Sequence, residues 1–77
     1  MSAIMFEDKL IRLGLNIAYY RKLKYLTQEQ LSEIVGVERS YISRIEAPNI
    51  PTSISLELLC KIADALDVSE SKLFEFR

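Results

Sequence analysis

The feature that most constrains this chain is a pair of short amphipathic segments joined at one glycine, within residues 27–46, TQEQLSEIVGVERSYISRIE. Thr27 can cap the first segment, which predicts a helix over residues 28–35. The apolar side chains on one face of that helix are Leu31, Ile34 and Val35. Gly36 can adopt the left-handed conformation that ends a helix and reverses the chain. The pattern therefore predicts two helices that meet at a sharp turn.

The second segment predicts a helix over residues 39–46 with two different faces. The face toward the core carries Tyr41, Ile42 and Ile45. The opposite face carries two arginines and two hydroxyls: Arg39, Ser40, Ser43 and Arg44. Charged helix faces are usually only solvated, but arginine can bind a guanine edge through two hydrogen bonds. The capped helix and the glycine before this one favour contact with DNA.

With these features in place, the segment LGLNIAYYRKLKYLTQEQLSEIVGVERSYISRIE resembles the helix-turn-helix domain of the phage repressor (Cro and cI) family, or xenobiotic-response-element-like regulators. The resemblance spans residues 10–74, including the later KIADALDV. It implies an all-α, five-helix, lambda-repressor-like domain in which helices 2 and 3 form the helix-turn-helix, and which binds double-stranded operator DNA as a homodimer. VERSYISRIE in so short a chain is especially similar to controller proteins of restriction-modification systems.

The resemblance also implies a role for each matching residue. The positions that match base-reading residues are Arg39, Ser40 and Arg44. The positions expected to contact the DNA backbone, or backbone and base together, are Thr27, Gln28, Tyr41 and Ser43, and Asn49 in the following loop could donate to phosphate. Tyr41 could equally be half-buried packing, and both interpretations stay open. Arg21 and Glu46 match a structural ion pair that joins the first helix to the end of the recognition helix.

Three positions depart from the family pattern. Tyr25 stands where a glycine is usual, which predicts that the first helix ends without a left-handed cap. Ser32 replaces a small alanine, a minor change if its hydroxyl bonds to the backbone. Glu38 is at the N-cap of the recognition helix, where its carboxylate favours the helix dipole but repels DNA phosphate.

Net charge argues against DNA binding, because a formal charge of −1 and a pI near 5.4 are unlike most nucleic-acid-binding domains. Acidic residues outnumber basic residues in the part of the chain that follows residue 46. On the side expected to face DNA, the basic residues are Lys22, Lys24, Arg39 and Arg44, and the acidic residues are Glu29, Glu33 and Glu38. This weak positive footprint predicts low non-specific affinity.

The remaining helices form a scaffold. The first is expected from Phe6 to Lys24, and its core residues are predicted to be Phe6, Leu10, Leu13 and Ile17. Gly14 costs about 1 kcal/mol of helix propensity against alanine, so we expect a neighbouring helix to approach closely there. Ser55 can cap a fourth helix, whose predicted core residues are Leu56, Leu59, Ile62, Ala63 and Leu66. Ser69 can cap a short fifth.

The end of the chain is rich in apolar residues. Leu73, Phe74 and Phe76 either fold back on the core or lie in a dimer interface, and the interface is favoured because one such motif reads few base pairs. Leu58 could extend the same surface. The start of the chain, Met1 to Phe6, is a second candidate surface.

Size and composition exclude several classes of protein. Seventy-seven residues predict a single domain, 1–77, and the absence of a signal or membrane segment predicts a cytoplasmic protein without membrane partners. The chain has no histidine, so neither a catalytic site, a metal site nor a cofactor is expected, and no small-molecule ligand. Cys60 is expected to be a small buried apolar residue, with a redox role as the weaker alternative.

The leading hypothesis is a sequence-specific transcription regulator that acts as a dimer on an operator with two half-sites. The alternative is a protein-binding module of the same fold, such as an antitoxin. An enzyme is excluded by the lack of catalytic groups.

Overall fold

The computed structural model describes residues 5–76, and in that range the chain forms five helices and no strand. They are α1 (Met5–Leu23), α2 (Gln28–Val35), α3 (Arg39–Glu46), α4 (Leu56–Leu66) and α5 (Glu70–Leu73). This confirms the predicted all-α, five-helix fold. Of the candidate surface Met1 to Phe6, residues 1–4 lie outside the described residues, and Phe6 is exposed.

Helix ends follow the predicted capping chemistry. The Thr27 hydroxyl accepts from the Gln30 N–H, and the Gln30 side chain accepts from the Thr27 N–H, which completes a capping box. The Ser55 and Ser69 hydroxyls accept from the Leu58 and Lys72 N–H groups and so cap α4 and α5. Gly36 ends α2 at φ 79°, ψ 36°, the left-handed conformation that lets the chain turn directly into α3.

The end of α1 differs from the prediction. Tyr25 adopts a left-handed conformation with φ 57°, although it has the Cβ that disfavours it. Its side chain is 93% exposed, so no packing is lost when the backbone turns there. The expectation that this helix would end without a left-handed residue is wrong, because the short connection to α2 requires the turn whichever residue occupies it.

The core lies between α1, α2, α3 and α4, and α5 closes one end. Its largest fully buried side chains are Ile17, Leu31, Ile42, Ile62, Leu66 and Leu73. Three residues predicted to face it are instead exposed, by 64% (Phe6), 58% (Ile34) and 74% (Leu56). Ser32 and Leu58 are buried in α2 and α4. The buried face of α2 therefore differs from the predicted one, whereas the other predicted core residues of α4 are buried as expected.

Gly14 sets the distance between α1 and α3. A Cβ built at this glycine would collide with the backbone carbonyl oxygen of Ile45, near the end of α3. The absence of a side chain thus lets the backbones of the two helices approach closely, which confirms the predicted reason for the glycine. Because α3 rests directly on α1, the angle at which α3 projects its outer face is fixed by the scaffold.

Two further properties bear on function. In the described part of the chain, no helix combines the length and apolar character that crossing a bilayer requires, and no cluster of metal-ligating side chains occurs.

Cys60 is half-buried rather than fully buried, and desolvation raises the pKa of its thiol, with Glu70 adding to the rise. A raised pKa keeps the thiol protonated and unreactive near neutral pH.

Candidate nucleic-acid interface

The outer face of α3 is the surface that the sequence assigns to DNA. Ile42, Ile45 and Glu46 turn inward and are buried. The four residues predicted to point away from the core are all exposed: Arg39, Ser40, Ser43 and Arg44. The fold therefore presents two guanidinium groups and two hydroxyls on one side of a short, rigid helix.

Tyr41 packs a loop rather than pointing freely outward. It is half-buried, and its hydroxyl donates to the Ser53 carbonyl at 2.8 Å. The Thr52 hydroxyl lies 3.1 Å from the Ile50 carbonyl and 3.2 Å from the Arg44 carbonyl, and its one proton is shared between them. The loop after α3 therefore packs against that helix at Tyr41 and Arg44. The Arg44 guanidinium carbon lies 5.4 Å from the centre of the Tyr41 ring, within the range of a cation–π contact. Tyr41 thus has a packing role, and a DNA contact by it stays a prediction.

A buried ion pair joins the end of α1 to the end of α3. Arg21 donates from Nε to Glu46 Oε2 and from Nη2 to Glu46 Oε1, both at 2.8 Å. Its remaining Nη1 donates to the Leu26 carbonyl at 2.7 Å. Both side chains are less than 10% exposed. One guanidinium therefore fixes α1, the connection before α2 and the last turn of α3 relative to one another.

Gln28 links this ion pair to Arg39, which the sequence did not predict. Its Nε2 donates to Glu46 Oε1 at 2.9 Å, and its Oε1 accepts from Arg39 Nη1 at 3.2 Å. The sequence indicated only a phosphate contact for Gln28. Nothing in its local pattern could have revealed the link, since the three residues lie 18 and 11 positions apart.

The surrounding charges are mixed. Glu38 is exposed at the N-cap of α3, and its side chain makes no capping hydrogen bond there. Lys24, which the sequence assigned to the DNA-facing side, lies 3.8 Å from Asp67 at the end of α4. Thr27 and Asn49 are exposed, the first within the capping box. The positive footprint is therefore weak and depends on Arg39 and Arg44.

The predicted dimer residues separate into two groups. Leu58 and Leu73 are 6% and 0% exposed and belong to the core of the monomer, so their assignment to an interface is corrected. Phe74 is 48% exposed and stacks edge-on against the half-buried Phe76, with ring centres 6.3 Å apart. The buried Asn16 amide donates to the carbonyls of Leu73 and Glu75, at 2.9 and 3.2 Å. This segment is therefore held in place on α1.

Comparison with known proteins assigns the part of the chain that contains these residues to one family. The helix-turn-helix family model matches residues 17–73. The control protein C.SmaI of Serratia marcescens is 39% identical over 70 residues, which cover 91% of this chain and 81% of that protein. The regulator SinR of Bacillus subtilis is 40% identical over 63 residues, 82% of this chain, but the chain spans only 56% of SinR. Relatives of this kind are regulators rather than enzymes.

Solved structures agree with the sequence comparison. The restriction-modification controller protein C.AhdI from Aeromonas hydrophila superposes with a TM-score of 0.77 at 34% identity, covering 84% of this chain and 96% of that one. A structure of SinR in complex with DNA superposes with a TM-score of 0.74 at 40% identity, covering 82% and 98%. The five-helix arrangement of this chain is thus the arrangement of DNA-binding regulators.

Proposed function

The chain belongs to the Cro/cI-type helix-turn-helix family of DNA-binding transcription regulators, and we propose that it acts as a homodimer on an operator with two half-sites. In this proposal α3 enters the major groove, where Arg39, Ser40 and Arg44 read base edges. The observation that carries it is the exposed outer face of α3, held rigidly by Gly14 on one side and by the Arg21–Glu46 pair on the other. A DNA-binding regulator must have access to DNA, which favours a cytoplasmic location for the protein.

The dimer follows from the small size of the reading surface. One α3 of eight residues reaches only a few base pairs, whereas two copies about one DNA turn apart double the number of contacts. The net charge of −1 makes this doubling more important, because non-specific attraction to phosphate contributes little. We therefore expect affinity to depend on the spacing of the two half-sites.

The second copy is proposed to bind at an apolar patch formed by Leu15, Phe74 and Phe76. Leu15 and Phe76 line one surface depression on α1, and Phe74 packs against Phe76. Leu15 is 46% exposed, close to the value for Phe74. Large exposed apolar side chains that adjoin one another are typical of interaction surfaces.

Replacing Arg39 or Arg44 with alanine should weaken specific DNA binding. Each change removes a guanidinium that contacts a base edge, so we expect a loss of about 1–3 kcal/mol in binding free energy and a relaxed preference at one base pair. Fluorescence anisotropy, on a duplex that the wild-type chain selects from a random pool, measures both effects.

Lys61→Ala is the matched control for these two variants. Lys61 is an exposed lysine on α4 that pairs with Glu57, so its loss changes net charge equally without touching α3 or the proposed dimer patch. An unchanged affinity in both Arg39→Ala and Arg44→Ala would refute the assignment of α3 as the reading helix. A wild-type chain that retains no duplex, but purifies with an unrelated protein, would favour the antitoxin-type alternative.

A further inference from the structure

We propose that Tyr41 is a positioning residue for DNA recognition, whose ring holds the Arg44 guanidinium against α3 and directs it toward the base edges. This inference rests on the proposed function of α3. It concerns a half-buried tyrosine and the exposed arginine one helical turn after it. The consequence is that base preference at one position depends on a side chain that does not contact DNA itself.

The Arg44 guanidinium differs from those of the other described arginines. Arg12 and Arg21 donate to carboxylates, and Arg39 donates to a side-chain amide of α2. In the described part of the chain, the Arg44 guanidinium has no hydrogen-bond or ion-pair partner, and instead lies over the Tyr41 ring, 5.4 Å from its centre. A contact with a ring face uses none of the five N–H donors. Arg44 is therefore held in place with every donor available to a base.

The Tyr41 ring is itself fixed at both ends. It packs against the core and lines one surface depression together with Val37 and Leu58. Its hydroxyl donates to the Ser53 carbonyl at 2.8 Å, in the loop between α3 and α4. Because a tyrosine side chain has only two torsions, these contacts leave it little freedom. The ring is thus a rigid support whose position is set by the core and by the loop.

Helix geometry determines the direction in which Arg44 points. Side chains lean toward the N-terminus of their helix, and positions three residues apart are about 4.5 Å apart along the axis. Arg44 therefore lies back over Tyr41, toward the end of α3 that begins with Arg39. The N-terminal part of a recognition helix is the part that meets base edges. Without the ring, an arginine this close to the end of α3 is free to extend toward a phosphate instead.

The contact should affect base preference more than general affinity. Arg44 is exposed, and a free arginine loses rotamer freedom when it is fixed on a base. The ring removes part of that freedom before DNA arrives. An Arg44 released from the ring keeps its positive charge and still attracts phosphate. Loss of the ring should therefore weaken binding to the selected duplex while binding to an unrelated duplex changes little.

Two variants of Tyr41 form a matched pair. Tyr41→Leu removes the ring and keeps an apolar side chain, whereas Tyr41→Phe keeps the ring and removes only the hydroxyl. Tyr41→Leu should weaken binding to the selected duplex about threefold to tenfold and relax the same base pair as Arg44→Ala. In the Arg44→Ala background it should have almost no further effect. Tyr41→Phe should keep the base preference of the wild type.

Three results would overturn the proposal. Equal losses from Tyr41→Leu in both backgrounds would mean that Tyr41 acts independently of Arg44. A loss in Tyr41→Phe as large as in Tyr41→Leu would mean that the hydroxyl contacts DNA directly. Unchanged preference in Tyr41→Leu would refute the positioning role alone, whereas a wild-type chain that binds no duplex would refute this inference and the proposed function together.

NMR of the free protein tests the contact without DNA and without relying on the leucine variant. In the wild-type chain, the ring current of Tyr41 should shift the side-chain protons of Arg44 upfield, and Tyr41→Phe should retain this shift. The order parameter of Arg44 Nε should fall in Tyr41→Leu, while that of Arg39 stays unchanged. Arg44 protons without an upfield shift in the wild type would contradict the proposal.

Discussion

Replacing Gly14 with alanine should destabilise the domain by about 3 kcal/mol or more, a large part of the roughly 4–12 kcal/mol typical of a chain this size. In an ordinary helix the same change stabilises by about 1 kcal/mol through helix propensity. Here the added Cβ would overlap the backbone carbonyl of Ile45, and backbone cannot rotate out of the way as a side chain can. The sign of the effect is therefore reversed. Urea unfolding followed by circular dichroism measures it.

Gly36→Ala is a matched control, because it makes the same chemical change for a different physical reason. A Cβ built at Gly36 has no heavy atom within 4 Å, but φ is 79°. The expected cost is therefore conformational only, about 1–2 kcal/mol. A Gly14→Ala variant as stable as the wild type would show that α1 and α3 do not approach as closely as described.

Replacing Arg21 with methionine should cost about 3–5 kcal/mol, because it leaves the Glu46 carboxylate buried without its partner. The Leu26 carbonyl also loses its donor, which loosens the connection before α2. The free energy of unfolding from urea titration gives the magnitude. Since Glu46 ends α3, we also expect weaker DNA binding at temperatures where the variant remains folded.

Two further variants separate charge from geometry. Arg21→Lys keeps the positive charge but cannot form the two parallel hydrogen bonds, so its loss should be intermediate. The double change Arg21→Met with Glu46→Met removes the uncompensated charge and should be more stable than Arg21→Met alone. A loss below about 1 kcal/mol in Arg21→Met would be typical of an exposed pair and would contradict the burial described for this one.

Much of the scaffold could be predicted because its signals are local. The caps at Thr27, Ser55 and Ser69 depend on one hydroxyl and the backbone three residues later, so the sequence contains both partners. Gly36 and Gly14 were also informative. Glycine lowers helix stability, so its presence within or just after a helical pattern indicates a specific structural reason. One cause is conformational and the other is a neighbouring helix.

The faces of the short helices were less predictable. In α2 the sequence pattern favours Ile34 as a core residue, but the buried face includes Ser32 instead. The Ser32 hydroxyl donates to the Glu29 carbonyl at 2.7 Å, so it can be buried without an unsatisfied polar group. In α4, Leu56 and Leu58 lie on opposite flanks of the apolar stripe. Leu56 is the first helical residue and extends past the end of the core.

The site itself was predictable as a set of exposed side chains, but its internal connections were not. Spacing along α3 determines that Arg39 and Arg44 face outward together. The link from Arg39 through Gln28 to Glu46 depends on how α2 crosses α3, which no single segment specifies. The dimer residues were misjudged for the same reason, because Leu58 and Leu73 become buried only when α4 and α5 pack on the rest of the chain.

Selection of bound duplexes from a random pool, followed by sequencing, tests the central claim most directly: a dimer presents two copies of α3 to the base edges of one operator. We predict an inverted repeat with half-sites about 10 base pairs apart, in which Arg39→Ala and Arg44→Ala each lose preference at one symmetric position. Recovery of sequences without a repeat, or of the same consensus by the wild type and both variants, would contradict it.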